Sequence, residues 1–442
     1  MPLNIVKSLA NRSDFPIFAR ELRGNNPLVY LDSGATSQLP QRVIGAVNEH
    51  IQLRNAAVNR GSHQLAEEAT IAFEQARETM AAFVGANSTE IIWTKSATEA
   101  LNLLAYSLGS LQYPDAATGN GDTGMGIASS VVKDAPRAIG VGDNIVVTRA
   151  EHHANLVPWQ ELARRTGATL RWLDLDAEGR IDLATLQEID AKTRIVAFTH
   201  ASNVTGAVSP VAEIVDAAKA VNALTVLDIC QSAPHLPLDL HQLGVDFAAF
   251  SAHKMYGPTG VGVCYVKEEH FNWLPKFLFG GSMVEIVTME GATYKQGLAG
   301  FEAGTPAVAE VIGAAQAVQY LMSLGMDQVA AHEETLTAYL LAEIAQVPGV
   351  RVLGPLEAKD RLGVVAFSVD GVHPHDVGQV LDADGIAVRV GHHCAQPVHR
   401  HFGVASSSRA SLGIYNTKED IDRFIESLKK VRRFFGLERS AE

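Results

Sequence analysis

Cysteine is scarce in this chain: three among 442 residues, at positions 230, 264 and 394, with no Cys-x-x-Cys pair. That excludes a disulfide framework and points to a reducing compartment. No stretch approaches the ~20 consecutive apolar residues that a membrane helix needs. Met1 to Arg20 scatter Lys7, Arg12, Asp14 and Arg20 among apolar residues, without the continuous apolar core of a secretory signal. Basic residues are in the minority, 36 Lys and Arg against 49 Asp and Glu, for a net charge of −13. This balance gives no sequence-independent grip on nucleic acid or on an anionic membrane. What is present, 47% hydrophobic and 19% charged residues without an internal repeat, belongs to a compact globular chain. The expectation is a soluble, cytoplasmic protein, long enough for two cores, with small molecules and proteins as its partners.

Between Glu90 and Val266 short apolar strands alternate with helical stretches. Strands are expected at Ile91–Thr94, Asn144–Thr148, Thr193–Thr199, Leu224–Asp228, Phe247–Ser251 and Val261–Val266, with helices beginning near Thr98, after Asn155 and after Pro210. Continuous apolar strands separated by helices predict an α/β fold whose sheet is mostly parallel and covered on both faces. From about Thr305 the character changes. Helices over 307–324 and 328–345, a strand Val364–Val369, a helix over 375–384, a strand Ile386–Val390 and a final helix predict a smaller α+β domain. Thr417 with Asp420 is a capping box for that last helix, and Ile421, Phe424, Ile425, Leu428 and Val431 keep helical spacing. The expected division is a large domain over 25–305, with 1–24 and 306–442 forming the small one. Gln112 to Arg137, with Gly119, Gly121, Gly124 and Gly126, lacks periodicity and reads as an inserted surface loop, either a tolerated insertion or a lid.

Chemistry concentrates at strand ends. Lys254 closes the strand that ends in Ser251 and is followed by Gly257, Gly260 and Gly262. It is either an ordinary surface lysine or an amine placed to form a Schiff base. Asp228 ends an apolar strand, where a carboxylate needs a partner, either the ring nitrogen of a pyridine cofactor or a backbone turn. Ser96-Ala97-Thr98 lie at a strand-to-helix junction that suits a phosphate or simple helix capping. His152 and His153 follow another strand end and read as structural or as a ring stacked on a cofactor. Cys264 and Cys230 read as buried filler, with Cys230 near the same strand ends. Cys394, in Arg389-Val390-Gly391-His392-His393-Cys394-Ala395-Gln396-Pro397, sits in a polar loop that suits an accessible, activated thiol. A zinc site built from Cys394 with His392, His393, His399 and His401 is disfavoured by the adjacency of the donors.

Together these segments resemble the cysteine desulfurases, pyridoxal-phosphate enzymes of the class V aminotransferase group. The resemblance spans about Tyr30 to Tyr415. It is carried by Leu31-Asp32-Ser33-Gly34-Ala35-Thr36, Asn59-Arg60-Gly61-Ser62-His63, Glu151 to Trp159, Ser251 to Gly257, Phe301-Glu302-Ala303-Gly304-Thr305-Pro306 and Arg409-Ala410-Ser411. The Cys394 segment is similar to that of the second branch (group II), the one with a short cysteine loop. The resemblance implies fold type I of the pyridoxal-phosphate enzymes and a homodimer. Lys254 would carry pyridoxal 5'-phosphate as a Schiff base and serve as acid and base. Asp228 would meet the pyridine nitrogen, Gln231 and Asn203 the phenolic oxygen, and His152 the ring. Ala97, Thr98, Ser251 and His253 would hold the phosphate, with Thr305 reaching in from the other subunit. Arg409 would bind the substrate carboxylate, with Arg389 and Arg60 lining the pocket. The implied reaction converts L-cysteine to L-alanine and a persulfide on Cys394, for transfer to a sulfur-acceptor protein in iron–sulfur cluster assembly or a related pathway. Selenocysteine lyase and a plain class V aminotransferase are the alternatives. Departures from the family pattern are the 112–137 insertion and the segment Lys276 to Gly281.

Overall fold

The computed structural model describes residues 8–59, 61–111 and 136–437. Most of the expected 112–137 loop, and Arg60, therefore lie outside the described residues. Strand β1 (Val29–Tyr30) precedes a seven-stranded sheet made of β2 (Ile91–Thr94), β3 (Asn144–Thr148), β4 (Thr169–Leu173), β5 (Thr193–Thr199), β6 (Leu224–Asp228), β7 (Phe247–Ser251) and β8 (Gly262–Val266). Its spatial order is β2-β8-β7-β6-β5-β3-β4. Pairings among β4, β3, β5, β6 and β7 are parallel, while β8 runs against both of its neighbours. Every residue of β3, β7 and β8 is buried, as continuous apolar strands between packed layers require. The mostly parallel α/β sheet expected from the sequence is therefore present.

The connecting helices start where their caps dictate. Ser96 precedes Ala97–Gly109 and its Oγ accepts from the Glu99 N–H; Pro158 occupies the first turn of Val157–Thr166; Pro210 precedes Val211–Ala220. After a hairpin, β9 (Val284–Val287) with β10 (Ala292–Tyr294), come the long helices Val308–Leu324 and Met326–Ile344.

A second, antiparallel sheet has the order β11 (Val350–Leu353), β12 (Val364–Val369), β15 (Ser407–Ser411), β14 (Arg389–Gly391). Its core is separate from the first. Val365, Phe367 and Ala410 pack with Leu336, Leu340 and Ile344 and with Ile421, Phe424, Ile425, Leu428 and Val431 of the last helix, Lys418–Phe434. That helix opens with the expected capping box: the Thr417 side chain accepts from the Asp420 N–H, and Asp420 accepts from the Thr417 N–H. One expectation is corrected. The single strand Ile386–Val390 is two pieces, because β13 (Ile386–Ala387) pairs in parallel with β1 whereas β14 pairs with β15. Val388 between them marks the change of partner. Through β1 and the Asp32–Ser411 bridge, the N-terminal segment is stitched to this second core.

Candidate active site

In a parallel sheet the loops that leave the carboxyl ends of the strands share one edge, and ligands bind in the crevice beyond it. Here Asp228 ends β6, Ser251 ends β7 and leads into the turn Ala252–Lys254, β3 leads to Glu151–Asn155, and β2 leads to Ser96 and the helix from Ala97. The second sheet closes the crevice with β14, the Cys394 loop and Arg409 from the middle of β15. The result is a cleft of about 540 Å³.

Its floor is built by short-range bonding. The Ser251 Oγ accepts from the Ala97 N–H at 2.8 Å, which ties the end of β7 to the first residue of the helix. Gly262 on β8 permits this approach, since a Cβ there would stand 2.5 Å from the Ser96 Cα. Asp228 is buried, with one carboxylate oxygen accepting from the Cys230 N–H at 2.9 Å. The turn carrying Lys254 is held by residues 36 and 37: the His253 carbonyl accepts from the Ser37 N–H at 2.9 Å, the Thr36 hydroxyl at 3.0 Å and the Ser37 hydroxyl at 3.1 Å.

The opposite wall is cationic. Arg409 is only 2% exposed. Its Nη1 donates to the Asn203 carbonyl at 2.9 Å, its Nη2 lies 3.5 Å from Asp32, and its Nε is buried without a hydrogen-bond partner. Arg389 approaches the other Asp32 oxygen, also at 3.5 Å. Both gaps exceed hydrogen-bond length, so the Arg409 fork keeps donor capacity for another carboxylate.

Burial sets the protonation of the groups around the cleft. It depresses His152 to about 3, with the Lys254 charge adding to the effect, and His253 to about 4 for the same two reasons. It depresses His393 to about 2, with Arg409 next in importance. These imidazoles are neutral at physiological pH and able to accept a proton only from a strong donor. The His152 Nδ1 accepts from the Ala154 N–H at 3.0 Å, which leaves its proton on Nε2. Glu151, fully buried, is pushed up to about 8 by burial and by the nearby Asp228 charge, against donors from Thr148, Asn155 and the Thr199 N–H.

The Cys394 loop is unusual in its backbone. His393 and Cys394 have φ of +50° and +53°, a region that costs a non-glycine residue on the order of 1–3 kcal/mol. Cys394 is exposed, whereas Cys230 and Cys264 are buried and their thiols are pushed up by burial. Of the clustered histidines, His393 and His399 both bond the Ser407 hydroxyl at 2.9 Å, and His401 bonds the Asp176 carbonyl.

The residues 29–117 and 121–424 match the aminotransferase class-V family model. The chain belongs to the aminotransferase class-V family. Among its relatives, a probable cysteine desulfurase 2 of Mycobacterium leprae is 52% identical over 97% of both chains. A probable cysteine desulfurase of Streptomyces coelicolor is 46% identical over the same shares. Among solved structures, the apo cysteine desulfurase of Thermococcus onnurineus superposes with a TM-score of 0.84 at 34% identity, covering 96% of this chain and 97% of that one. The Escherichia coli cysteine desulfurase CsdA, in an S-sulfonic acid form, gives 0.82 at 34% identity, covering 96% and 98%.

Of the residues that the sequence singles out, Ala97, Thr98, His152, Asn203, Asp228, Ser251, His253, Lys254, Arg389, Cys394 and Arg409 all line the same cleft of this class-V chain. Gln231 is buried just behind it and donates to the Gly34 carbonyl at 3.0 Å. Thr305 is exposed and outside the lining, and Arg60 lies outside the described residues. Sequence reasoning gave no role to Asp32, which faces both arginines, although a carboxylate closing the apolar run Leu28–Leu31 carries the same signal as Asp228. His153, read with His152 as structural or as a stacked ring, has bonds that reach the Cys394 loop, a contact the sequence did not indicate.

Proposed function

We propose that this chain is a pyridoxal-phosphate-dependent cysteine desulfurase that converts L-cysteine to L-alanine and a persulfide on Cys394. The observation that carries this reading is that Lys254 and Cys394, far apart in sequence and held by different sheets, line the same cleft. The names of the full-length relatives support it.

The cleft fits the cofactor. It offers a primary amine at Lys254, a buried carboxylate at Asp228 with one oxygen uncommitted to the Cys230 amide, and a buried Asn203 Oδ1 without a partner. Across the floor lie the hydroxyls of Thr98 and Ser251 at a helix N-terminus, where an anion is favoured. Asp228 would face the pyridine nitrogen, His152 the ring, and Gln231 and Asn203 the phenolic oxygen. Ala97, Thr98, Ser251 and His253 would take the phosphate, with Thr305 contributed by a partner subunit. Bound pyridoxal phosphate supplies an electron sink conjugated to the substrate Cα.

The protein's own groups do the rest. Arg409, with the unpartnered Nε, receives the substrate carboxylate, assisted by Arg389 and Arg60. The Lys254 amine removes the Cα proton and returns a proton to carbon. The Cys394 thiolate forms a bond to the substrate sulfur as the substrate C–S bond breaks, so that the products are L-alanine and the Cys394 persulfide. The neutral His152, with its proton on Nε2, is available at the substrate without adding positive charge beside Lys254.

The same reading includes a homodimer, a cytoplasmic setting, and a sulfur-acceptor protein that collects the persulfide sulfur. No helix among the described residues is long and apolar enough to cross a membrane. The reading also includes two domains, 25–305 against 1–24 with 306–442, although Ala10, Phe15 and the helix Val308–Leu324 pack in the core of the first. The test is product analysis on the protein loaded with pyridoxal phosphate. L-Alanine should form from L-cysteine without a 2-oxo acid; amino transfer to a 2-oxo acid with no sulfur release would instead identify an aminotransferase.

A further inference from the structure

The Cys394 loop is gripped from outside by a residue that the chemistry does not use. His153 lies on the turn after β3, next in sequence to His152. Its backbone N–H donates to the Cys394 carbonyl at 2.6 Å, and its Nε2 accepts from the Gln396 N–H at 3.2 Å. The two bonds bracket the thiol residue, one on Cys394 itself and one two residues on. Asn203 adds a third bond to this loop, its Nδ2 donating to the His393 carbonyl at 2.7 Å. An imidazole nitrogen that accepts from an amide must be unprotonated, so in His153 the proton sits on Nδ1. Partial burial and the neighbouring His392, with ring centroids 5.7 Å apart, both disfavour a charged ring.

We propose that His153 is a positioning residue for the reaction, its Nε2 fixing the Cys394 loop in the left-handed conformation that presents the thiol to the cleft. His393 and Cys394 both adopt positive φ without being glycine, so the loop does not hold this shape by local preference. The Ala395 N–H, donating to the His392 carbonyl at 2.8 Å, closes the turn, and the bonds from the neighbouring sheet add to it. Because His152 and His153 are adjacent, the turn that sets the ring-facing imidazole also sets the distance to the nucleophile. The inference rests on the desulfurase reading for its kinetic consequence but not for its structural one.

The experiment compares His153→Leu, which has no acceptor, with His153→Gln, whose side-chain carbonyl can reach the place of Nε2. Full-length protein loaded with pyridoxal phosphate is given L-cysteine, and three quantities are read: kcat for alanine formation, KM, and hydrogen exchange of the peptide covering 392–397. His153→Leu should lower kcat about three- to tenfold, the effect of one ordinary hydrogen bond. KM and the cofactor absorbance should stay as in the wild type, and the loop amides should exchange faster. His153→Gln should restore both kcat and exchange protection. The proposal is overturned if His153→Gln is as slow as His153→Leu, if His153→Leu matches the wild type, or if the loop exchanges equally in all three proteins. A wild-type protein that makes no alanine would overturn the desulfurase reading instead, and the exchange comparison would still decide the role of His153.

Discussion

Replacing Arg409 by lysine isolates what a planar fork contributes beyond positive charge. Arg409 spends one donor on the Asn203 carbonyl, stands 3.5 Å from Asp32, and keeps a buried Nε without a partner. A substrate carboxylate can therefore take two parallel N–H donors, whereas a lysine offers a point charge on a different stem. The substitution removes one charge-assisted hydrogen bond of about 1.5–3 kcal/mol, or roughly 10- to 150-fold in affinity. Steady-state kinetics with L-cysteine should give a fall in kcat/KM of that size, expressed mainly in KM. The absorbance of bound pyridoxal phosphate should persist, because Lys254 and Asp228 are untouched. A kcat/KM within threefold of wild type would refute the assignment of Arg409 to the carboxylate.

Other outcomes follow from the same geometry. Lys254→Ala should cut alanine formation by about 10²–10⁴-fold, the usual share of a positioned acid–base group, with partial recovery on adding a small primary amine; unchanged turnover would contradict its role. Gly262→Ala would drive a Cβ into the Ser96 backbone and should weaken pyridoxal phosphate binding in an absorbance titration, while unaltered binding would show that the floor tolerates the displacement. Stability should fall in acid. The unfolded histidines titrate near 6.5, whereas the fold holds His152 at about 3, His200 and His253 at about 4 and His393 at about 2. These depressed values give stability that is present above pH 6.5 and is lost as pH falls toward 4. At pH 5 the four histidines take up about four protons on unfolding and Glu151, held at about 8, releases one, so the net uptake is about three. Tm should drop clearly between pH 7 and pH 5, and a flat Tm would contradict the burial of these groups in neutral form.

Much of this architecture was legible in the chain because the parallel strands are continuous apolar runs. Asn144–Thr148, Leu224–Asp228 and Phe247–Ser251 are found with the expected limits. The reading failed where burial and polarity part company. β15 is Ser-Ser-Arg-Ala-Ser, yet all five residues are buried, since its serines bond within the fold and its arginine faces the cleft. β4 escaped for the opposite reason: it is an edge strand with Thr169 and Trp172 exposed. The split at Val388 depends on which partner each half meets, and that is a tertiary fact. At the site, strand-end residues could be picked out one by one because a polar group after an apolar run needs a partner. Asp32 carried the same mark but its two arginines come from Arg389 and Arg409, far along the chain. His153 stood out only as half of a histidine pair after a strand, because its acceptor nitrogen meets an amide of a loop 243 residues away.

The most direct measurement is peptide mapping by mass spectrometry after a brief exposure of the loaded protein to L-cysteine without an acceptor. The account predicts one additional sulfur on the peptide carrying Cys394, none on those carrying Cys230 or Cys264, and none at all in Cys394→Ala. Sulfur appearing on another cysteine, or alanine forming at the wild-type rate in Cys394→Ala with an acceptor present, would contradict it.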